Sequence, residues 1–213
     1  MGALPRTEGE VSAAVPAFRT RLRWAIAITL YAALTYGATN ALAHARGVTR
    51  CIALPGEMDL PFVAWLVVPY LCIDLLVPLS AIFTRSHTEL RTLARRMFWA
   101  FTIGNLIFLV LPFRCNFPRT IPDDWTAPFF RLLHFTDLPY NQAPSLHIVE
   151  AIVIAPVFLA RLPRPAPRAA FLSLLVLGSA GTVLTYQHHL LDVVTGAILG
   201  FAVVAAVRPR AAQ

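Results

Sequence analysis

Two short stretches decide the fold and the chemistry of this chain: Pro144-Ser145-Leu146-His147 and His188-His189-Leu190-Leu191-Asp192. Both stand at the edges of long apolar runs. Histidine can attack, donate a proton or accept one near neutral pH. A histidine and an aspartate four residues apart share one face of a helix, so Asp192 can hold the ring of His188. Such groups, beside a helix N-terminus that attracts anions, are what phosphoryl transfer through a phosphohistidine requires.

The two stretches resemble the second and third motifs of the type 2 phosphatidic acid phosphatase superfamily, which holds lipid phosphatases and vanadium-dependent haloperoxidases. The family's second motif is Pro-Ser-Gly-His, and its third is Ser-Arg, five residues, His, three residues, Asp. The Pro-Ser-Leu-His form, with Thr185-Tyr186-Gln187-His188, is more similar to inositol phosphorylceramide synthases and to bacterial members fused to dual-specificity phosphatases. The resemblance covers residues 101–207.

The resemblance implies a role for each matching side chain. His188 takes the place of the nucleophile that attacks phosphorus, and Asp192 orients its ring. His147 takes the place of the general acid that protonates the leaving alcohol. The competing interpretation gives each histidine a structural hydrogen bond between helices. His189 points about 100° away around the helix and has no Asp four residues later, so we exclude it from the predicted site.

Phosphate also needs cations or aligned donors, because the transition-state charge spreads over three oxygens. The family's first motif is Lys, six residues, Arg-Pro; Arg119 matches its Arg, and Arg114 is the nearest stand-in for its Lys. Arginines that bind lipid headgroups at the interface are the alternative. Ser145 is expected to bind phosphate through its hydroxyl and to cap the following helix. Thr182 and Tyr186 stand at positions where family members carry a cation. Without these cations, the substrate could differ from a simple phosphate monoester.

The composition is that of a membrane protein. Of the 213 residues, 57% are hydrophobic and 14% are charged, whereas soluble domains carry about 25% charged residues. The formal net charge of +7 comes from arginines without any lysine. These arginines lie in short loops between apolar runs rather than in one patch. The pattern argues against a nucleic-acid partner and for a protein embedded in a bilayer.

A helix that crosses a bilayer needs about 20 apolar residues, and about six segments meet that need. We therefore predict an all-α, polytopic bundle of six transmembrane helices at residues 22–43, 60–83, 97–113, 147–162, 169–186 and 190–207. These segments form one membrane domain at 19–207, with its catalytic part at 101–207, between cytoplasmic tails at 1–18 (disordered) and 208–213. The loop at 114–145, rich in proline and aromatic residues, is predicted to cover the site with a short helix near 129–134.

The positions of the arginines predict the orientation. The side that holds both termini carries Arg19, Arg21, Arg23, Arg85, Arg91, Arg95, Arg96, Arg161, Arg164, Arg168, Arg208 and Arg210, and the other side carries Arg46, Arg50, Arg114, Arg119 and Arg131. Both termini are therefore predicted to be cytoplasmic, since basic loops stay inside. His147 and His188 then open to the outside, the periplasm if the membrane is a bacterial inner membrane. The reversed topology is the competing interpretation.

Four further residues are candidates for a role. Asp74 and Glu150 are carboxylates within apolar segments, which are costly and therefore suggest function. We expect Glu150 either to tune His147 or to stay protonated, and Asp74 to lie deeper than the site and bind a neighbouring helix. Cys51 and Cys115 lie in loops predicted on the same outer side, either as a disulfide or as two free thiols.

Metal chemistry is a weaker alternative for the same residues. His147, Glu150, His188, His189 and Asp192 include zinc-ligating types, but no His-Glu-x-x-His spacing occurs. The family that the motifs resemble works without metal, so we predict no metal site and no cofactor. Gly196 and Gly200 form a small-x-x-x-small face that predicts close helix packing.

The expected activity is hydrolysis of a lipid phosphate or diphosphate ester by a metal-independent membrane phosphatase. A first alternative keeps the chemistry and changes the acceptor: a lipid phosphotransferase that passes a phospho-headgroup to another lipid alcohol. A second alternative is a transporter of lipid phosphates without catalysis, which would use the intramembrane carboxylates and the arginines for passage.

Overall fold

The computed structural model describes residues 15–209, and the regular structure in that range is helical. The predicted all-α fold is confirmed. Most of the predicted tails, residues 1–14 and 210–213, lie outside the described residues. The described helices are α1 (Phe18–Ala45), α2 (Val67–Ile82), α3 (His87–Val110), α4 (Ala127–Thr136), α5 (Leu146–Leu159), α6 (Pro165–Leu184) and α7 (Leu190–Ala206), with 3-10 turns at Glu57–Asp59 and Ala64–Leu66.

Within residues 15–209, four helical segments are long and apolar enough to cross a membrane: Phe18–Ala45, Ala64–Ile82, His87–Val110 and Pro165–Leu184. Large apolar side chains are exposed around the bundle, as expected for surfaces that face lipid. Helices α5 and α7 coincide with the two remaining predicted spans but have 14 and 17 residues. The remaining helix, α4, is not one of the six predicted spans. It lies in the loop after α3 and confirms the short helix predicted near 129–134.

The start of α3 differs from the predicted start at residue 97. The hydroxyl of Ser86 accepts a hydrogen bond from the backbone N–H of Glu89 at 3.0 Å, and the Glu89 carboxylate accepts one from the N–H of Arg85 at 2.7 Å. These reciprocal bonds cap the helix and start it at His87. Three arginines that the sequence placed in a loop therefore belong to the first turns of α3: Arg91, Arg95 and Arg96.

Helix α5 lies at the centre of the bundle, against α2, α3, α6 and α7. Close approach of α7 depends on glycine: a Cβ at Gly196 would lie 2.5 Å from the carbonyl oxygen of Ser145, and a Cβ at Gly200 would lie 2.9 Å from Ile152 Cδ1. The predicted close packing is confirmed. It brings the first turns of α5 and α7 side by side, and the N–H of Ser145 donates to the carbonyl oxygen of Asp192 at 2.9 Å.

Candidate active site

The first turn of α5 carries His147, and the turn between α6 and α7 carries His188. Tyr186 adopts a left-handed conformation, with φ of 62°, which reverses the chain after α6. The N–H of His188 then donates to the carbonyl oxygen of Thr182 at 2.8 Å. The backbone of this turn therefore fixes His188 at the mouth of α7, next to the start of α5.

His188 and Asp192 form a buried pair, as the four-residue spacing predicts. His188 Nδ1 lies 3.3 Å from Asp192 Oδ2, and the two side chains are 5% and 0% exposed. The same carboxylate oxygen accepts the N–H of His189 at 2.8 Å, so the helix N-terminus holds the carboxylate in place. Within residues 15–209, Nε2 of His188 makes no hydrogen bond, which leaves this nitrogen free to react.

His147 has a carboxylate partner of its own, supplied by α2. His147 Nε2 lies 3.1 Å from Asp74 Oδ1, with side chains 13% and 48% exposed. The ring of Tyr70 stacks on His147 with centroids 4.3 Å apart. The expectation that Asp74 binds a neighbouring helix is confirmed, but the expectation that it lies deeper than the site is wrong. The packing of α2 against α5 places Asp74 level with the first turn of α5.

The two histidine rings lie side by side, with centroids 5.7 Å apart and planes at 67°. His188 lines a small polar cleft of about 10 Å³, and His147 lines a larger cavity of about 370 Å³. Tyr36 and Asp137 line both, so the rings meet where the two cavities adjoin. The cleft beside His188 has room for about one water molecule, so a phosphate there requires the lining side chains to move apart.

Asp137, which the sequence analysis missed, lies at this junction. The hydroxyl of Tyr36 lies 3.1 Å from each of its carboxylate oxygens, and Asn40 Nδ2 donates to Oδ1 at 2.6 Å. Burial raises the pKa of Asp137, and the nearby charge of His147 and the Tyr36 hydrogen bond oppose that rise. A neutral carboxyl repels a phosphate less than a carboxylate does. The detectable signal was the run of polar side chains Tyr36, Thr39 and Asn40, which stand within four residues of one another in α1.

Arg119 reaches the cleft of His188 and Arg114 does not. Arg119 lines the cleft, and its Nη2 donates to the carbonyl oxygens of His134 and Asp137, both at 2.8 Å. These bonds place a cation at the C-terminal end of α4. Burial, together with the charge of Arg119, lowers the pKa of His134 to about 4. Arg114 is exposed, and its side chain makes no hydrogen bond or ion pair within the described residues.

Two further residues stand near His147. Ser145 occupies the N-cap position of α5, but its hydroxyl makes no capping bond, so the predicted side-chain cap is wrong. The backbone bond to Asp192 and the close approach of Gly196 bury this residue completely, and its hydroxyl has no partner within the described chain. Glu150 lines the cavity of His147 beside Asp74, and its buried Oε2 also lacks a partner there.

His189 points away from His147, in line with its exclusion from the predicted site. It stacks on Phe117 with ring centroids 4.8 Å apart and faces Glu57. Cys51 and Cys115 are free thiols. In the described part of the chain, no group of three or more His, Cys, Asp or Glu side chains is arranged to hold a metal ion.

Among the described residues, each of the two neighbouring rings has one nitrogen without a hydrogen bond, Nε2 of His188 and Nδ1 of His147, and a carboxylate lies beside the other nitrogen of each ring. No curated protein and no solved structure matches the chain significantly. The profile of the PAP2 superfamily matches residues 93–211, more than half of the chain, and this range contains His147, His188 and Asp192. The chain is therefore an integral membrane protein that belongs to the PAP2 superfamily, whose members are generally phosphatases or phosphotransferases.

Proposed function

We propose that this protein is a membrane phosphatase that hydrolyses a phosphate or diphosphate ester of a lipid through a phosphohistidine on His188. The observation that carries the proposal is the pair of rings 5.7 Å apart. Asp192 holds Nδ1 of His188, which leaves Nε2 for attack on phosphorus. Asp74 holds Nε2 of His147, which leaves Nδ1 for proton transfer.

In the first step, Nε2 of His188 attacks phosphorus and the bond from phosphorus to the leaving oxygen breaks. His147 gives a proton from Nδ1 to that oxygen, and the Asp192 carboxylate stabilises the positive charge on the phosphorylated ring. In the second step, a water molecule attacks phosphorus while His147 takes its proton. The phosphorus–nitrogen bond breaks, and inorganic phosphate leaves.

The phosphate is proposed to bind where the two cavities adjoin, with Arg119, which lines the cleft, as one ligand. The unpartnered hydroxyl of Ser145 is proposed as a second ligand that becomes available when the side chains around it move apart, because Ser145 is completely buried and lines neither cavity. The guanidinium of Arg119 uses Nη2 for two carbonyl oxygens, and its remaining donors can face a phosphate oxygen. Arg114 is proposed to act from the membrane surface, where an exposed arginine attracts the headgroup before it enters.

A lipid substrate is supported by the cavity beside His147. The cavity extends between α1 and α2, and most of its wall is apolar: Ala32, Ala33, Leu71, Val77, Phe101, Leu133 and Leu146. Its volume of about 370 Å³ falls in the range of small-molecule pockets. A chain that enters from the bilayer can lie there while its phosphate reaches the histidines.

We further propose that residues 19–207 form one membrane domain with six spans, in which α5 and α7 serve as short spans next to the four long ones. The catalytic part is residues 101–207. Both termini are cytoplasmic, since the arginines are concentrated at the helix ends on the same side of the membrane as the termini. The two histidines then face the outside of the cell.

Transfer to a second lipid is the other candidate. It shares the first step, but a lipid alcohol replaces water in the second. The relaxed first motif, which lacks the leading Lys and has Thr120 in place of Pro, favours this candidate, as does the Pro-Ser-Leu-His form of the second motif.

The test uses the full chain in lipid nanodiscs with phosphatidic acid, phosphatidylglycerol phosphate or a prenyl diphosphate. Release of inorganic phosphate supports hydrolysis, and a new phospholipid that forms only with an added lipid alcohol supports transfer. The His188→Gln variant is expected to lose either product, whereas His87→Gln, at the opposite end of the bundle, keeps it. Passage of labelled lipid without either product would overturn the proposal in favour of a transporter.

A further inference from the structure

A second cluster of reactive groups lies around His189 and plays no part in the proposed phosphoryl transfer. His189 is completely buried at the start of α7. Its Nε2 lies 3.4 Å from Cys51 Sγ, and its Nδ1 lies 3.3 Å from Glu57 Oε2. A thiol, an imidazole and a carboxylate thus stand in the order that activates a nucleophilic cysteine.

The hydrogen bonds around His189 indicate which ring nitrogen carries the proton. The backbone N–H of Asn116 donates to Nε2 at 3.2 Å, so Nε2 presents its lone pair. The ring proton then resides on Nδ1, which faces Glu57 Oε2 at 3.3 Å but makes no hydrogen bond within the described residues. The N–H groups of Leu54, at 2.7 Å, and of Leu190 hold the Glu57 carboxylate. This tautomer is the one that can accept the proton of the Cys51 thiol.

The environment of Cys51 differs from that of Cys115. Cys51 is half-buried, and its Sγ accepts the N–H of Ala53 at 3.3 Å. Cys115 is buried, its Sγ lies 3.6 Å from the carbonyl oxygen of Tyr186, and burial raises its pKa to about 12. The chain therefore contains one thiol beside a base and one that is shielded.

We propose that Cys51 is a modification site for small hydroperoxides, with His189 as the base and Glu57 as the group that orients it. The sulfur attacks one peroxide oxygen and the oxygen–oxygen bond breaks. Cys51 is oxidised to a sulfenic acid and the peroxide is reduced to water or an alcohol. The thiol proton passes through Nε2 of His189 to the leaving oxygen, so the step balances with one hydroperoxide consumed.

The test follows sulfenic acid at Cys51 in the full chain in nanodiscs with Cys72→Ser and Cys115→Ser. The protein is treated with hydrogen peroxide and dimedone at pH 7, and the adduct is measured by mass spectrometry. In His189→Gln, the glutamine still offers an oxygen to the Asn116 N–H but is no base. Its rate is expected to be at least about tenfold lower, and equal rates would overturn the proposal.

A second comparison covers the case in which His189→Gln does not fold. A thiol introduced by Thr49→Cys, in a chain with Cys51→Ser, is exposed in the same loop but has no such cluster. Cys51 is expected to react at least about tenfold faster than this thiol, although it is more buried. A rate no higher than that of the introduced thiol contradicts the proposal. Neither readout depends on phosphatase activity.

Discussion

The two histidine–carboxylate pairs of the site are built in different ways. His188 and Asp192 lie one turn apart on the same helix start and are 5% and 0% exposed. His147 and Asp74 come from different helices, and the carboxylate is 48% exposed toward the larger cavity. A rigid, buried pair suits a nucleophile that must keep one orientation. An open pair suits an acid that must exchange protons with substrate and water.

The largest expected effect separates the two histidines by the leaving group. His188→Ala should lower kcat by at least about 10⁴-fold with any substrate, because no covalent step remains. His147→Ala should lower kcat by about 10²- to 10⁴-fold with a lipid alcohol as leaving group. With 4-nitrophenyl phosphate, whose leaving group needs no proton, His147→Ala should still release 4-nitrophenol in the first turnover, and His188→Ala should release none. Steady turnover of His147→Ala should stay slow, because the same ring activates water in the second step.

Single-turnover and steady-state kinetics with both substrates measure this difference, and size-exclusion profiles control for folding. If both variants responded alike to the change of leaving group, the assignment of nucleophile and acid would be wrong.

Removing the charge of the buried Asp192 should lower kcat and stability more than removing the charge of the half-exposed Asp74. Asp192→Asn is expected to lower kcat by about 100-fold and the free energy of unfolding by about 1–3 kcal/mol, because one buried oxygen serves both His188 and the N–H of His189. Asp74→Asn is expected to lower kcat by about tenfold and to leave stability within about 0.5 kcal/mol. Kinetics together with thermal unfolding followed by tryptophan fluorescence measure both effects. Equal losses of stability would contradict the contrast in burial.

Substitutions of Arg119 and Arg114 should change KM to different extents, because only Arg119 lines the cleft of His188, the proposed nucleophile. Arg119→Gln is expected to raise KM by about tenfold, because Arg119 lines the cleft of His188, and Arg119→Lys should restore part of the loss. Arg114→Gln should change KM by no more than about twofold, as for an exposed cation. A larger effect at Arg114 in initial-rate measurements would place the phosphate elsewhere.

The smallest expected effect concerns Asp137, which lines both cavities. Because burial raises its pKa, the folded chain holds this proton more tightly than the unfolded chain does. The free energy of unfolding that the Asp137 proton contributes is therefore complete below the ordinary carboxyl pKa of about 3.9. It is lost as pH rises through the raised pKa of the folded state. The Tm of Asp137→Asn relative to that of the wild type should then increase from pH 4 to pH 8. A relative Tm that falls over this range would contradict the direction of the shift.

Local rules account for much of what the sequence predicts. Apolar length identifies the long helices, and the four-residue spacing identifies the His188–Asp192 pair. The early start of α3 was also detectable, since Ser86 and Glu89 have the spacing of a helix cap. Arginines in the first turns of α3 were instead interpreted as loop residues, and the predicted start moved ten residues too far along the chain.

The remaining features depend on how the helices pack. Asp74 reaches His147 only because α2 lies against α5, and no spacing in the sequence encodes that contact. Ser145 has the residue type and position of a cap, yet contact with α7 holds its backbone and leaves its hydroxyl unpartnered. Arg119 reaches the cleft through the fold of the loop around α4, which a motif with a missing lysine does not determine.

The most direct measurement is to trap the covalent intermediate and locate the phosphorus. The protein is incubated briefly with ³²P-labelled lipid phosphate, quenched in base and digested. Mass spectrometry of the phosphopeptide identifies the residue, and chromatography against authentic Nδ1- and Nε2-phosphohistidine identifies the ring nitrogen. Because Asp192 occupies Nδ1, phosphorus should be found on Nε2 of His188, in an acid-labile bond that His188→Ala abolishes. Phosphorus on His147, on Nδ1 of His188, or on no histidine while product still forms would contradict the account.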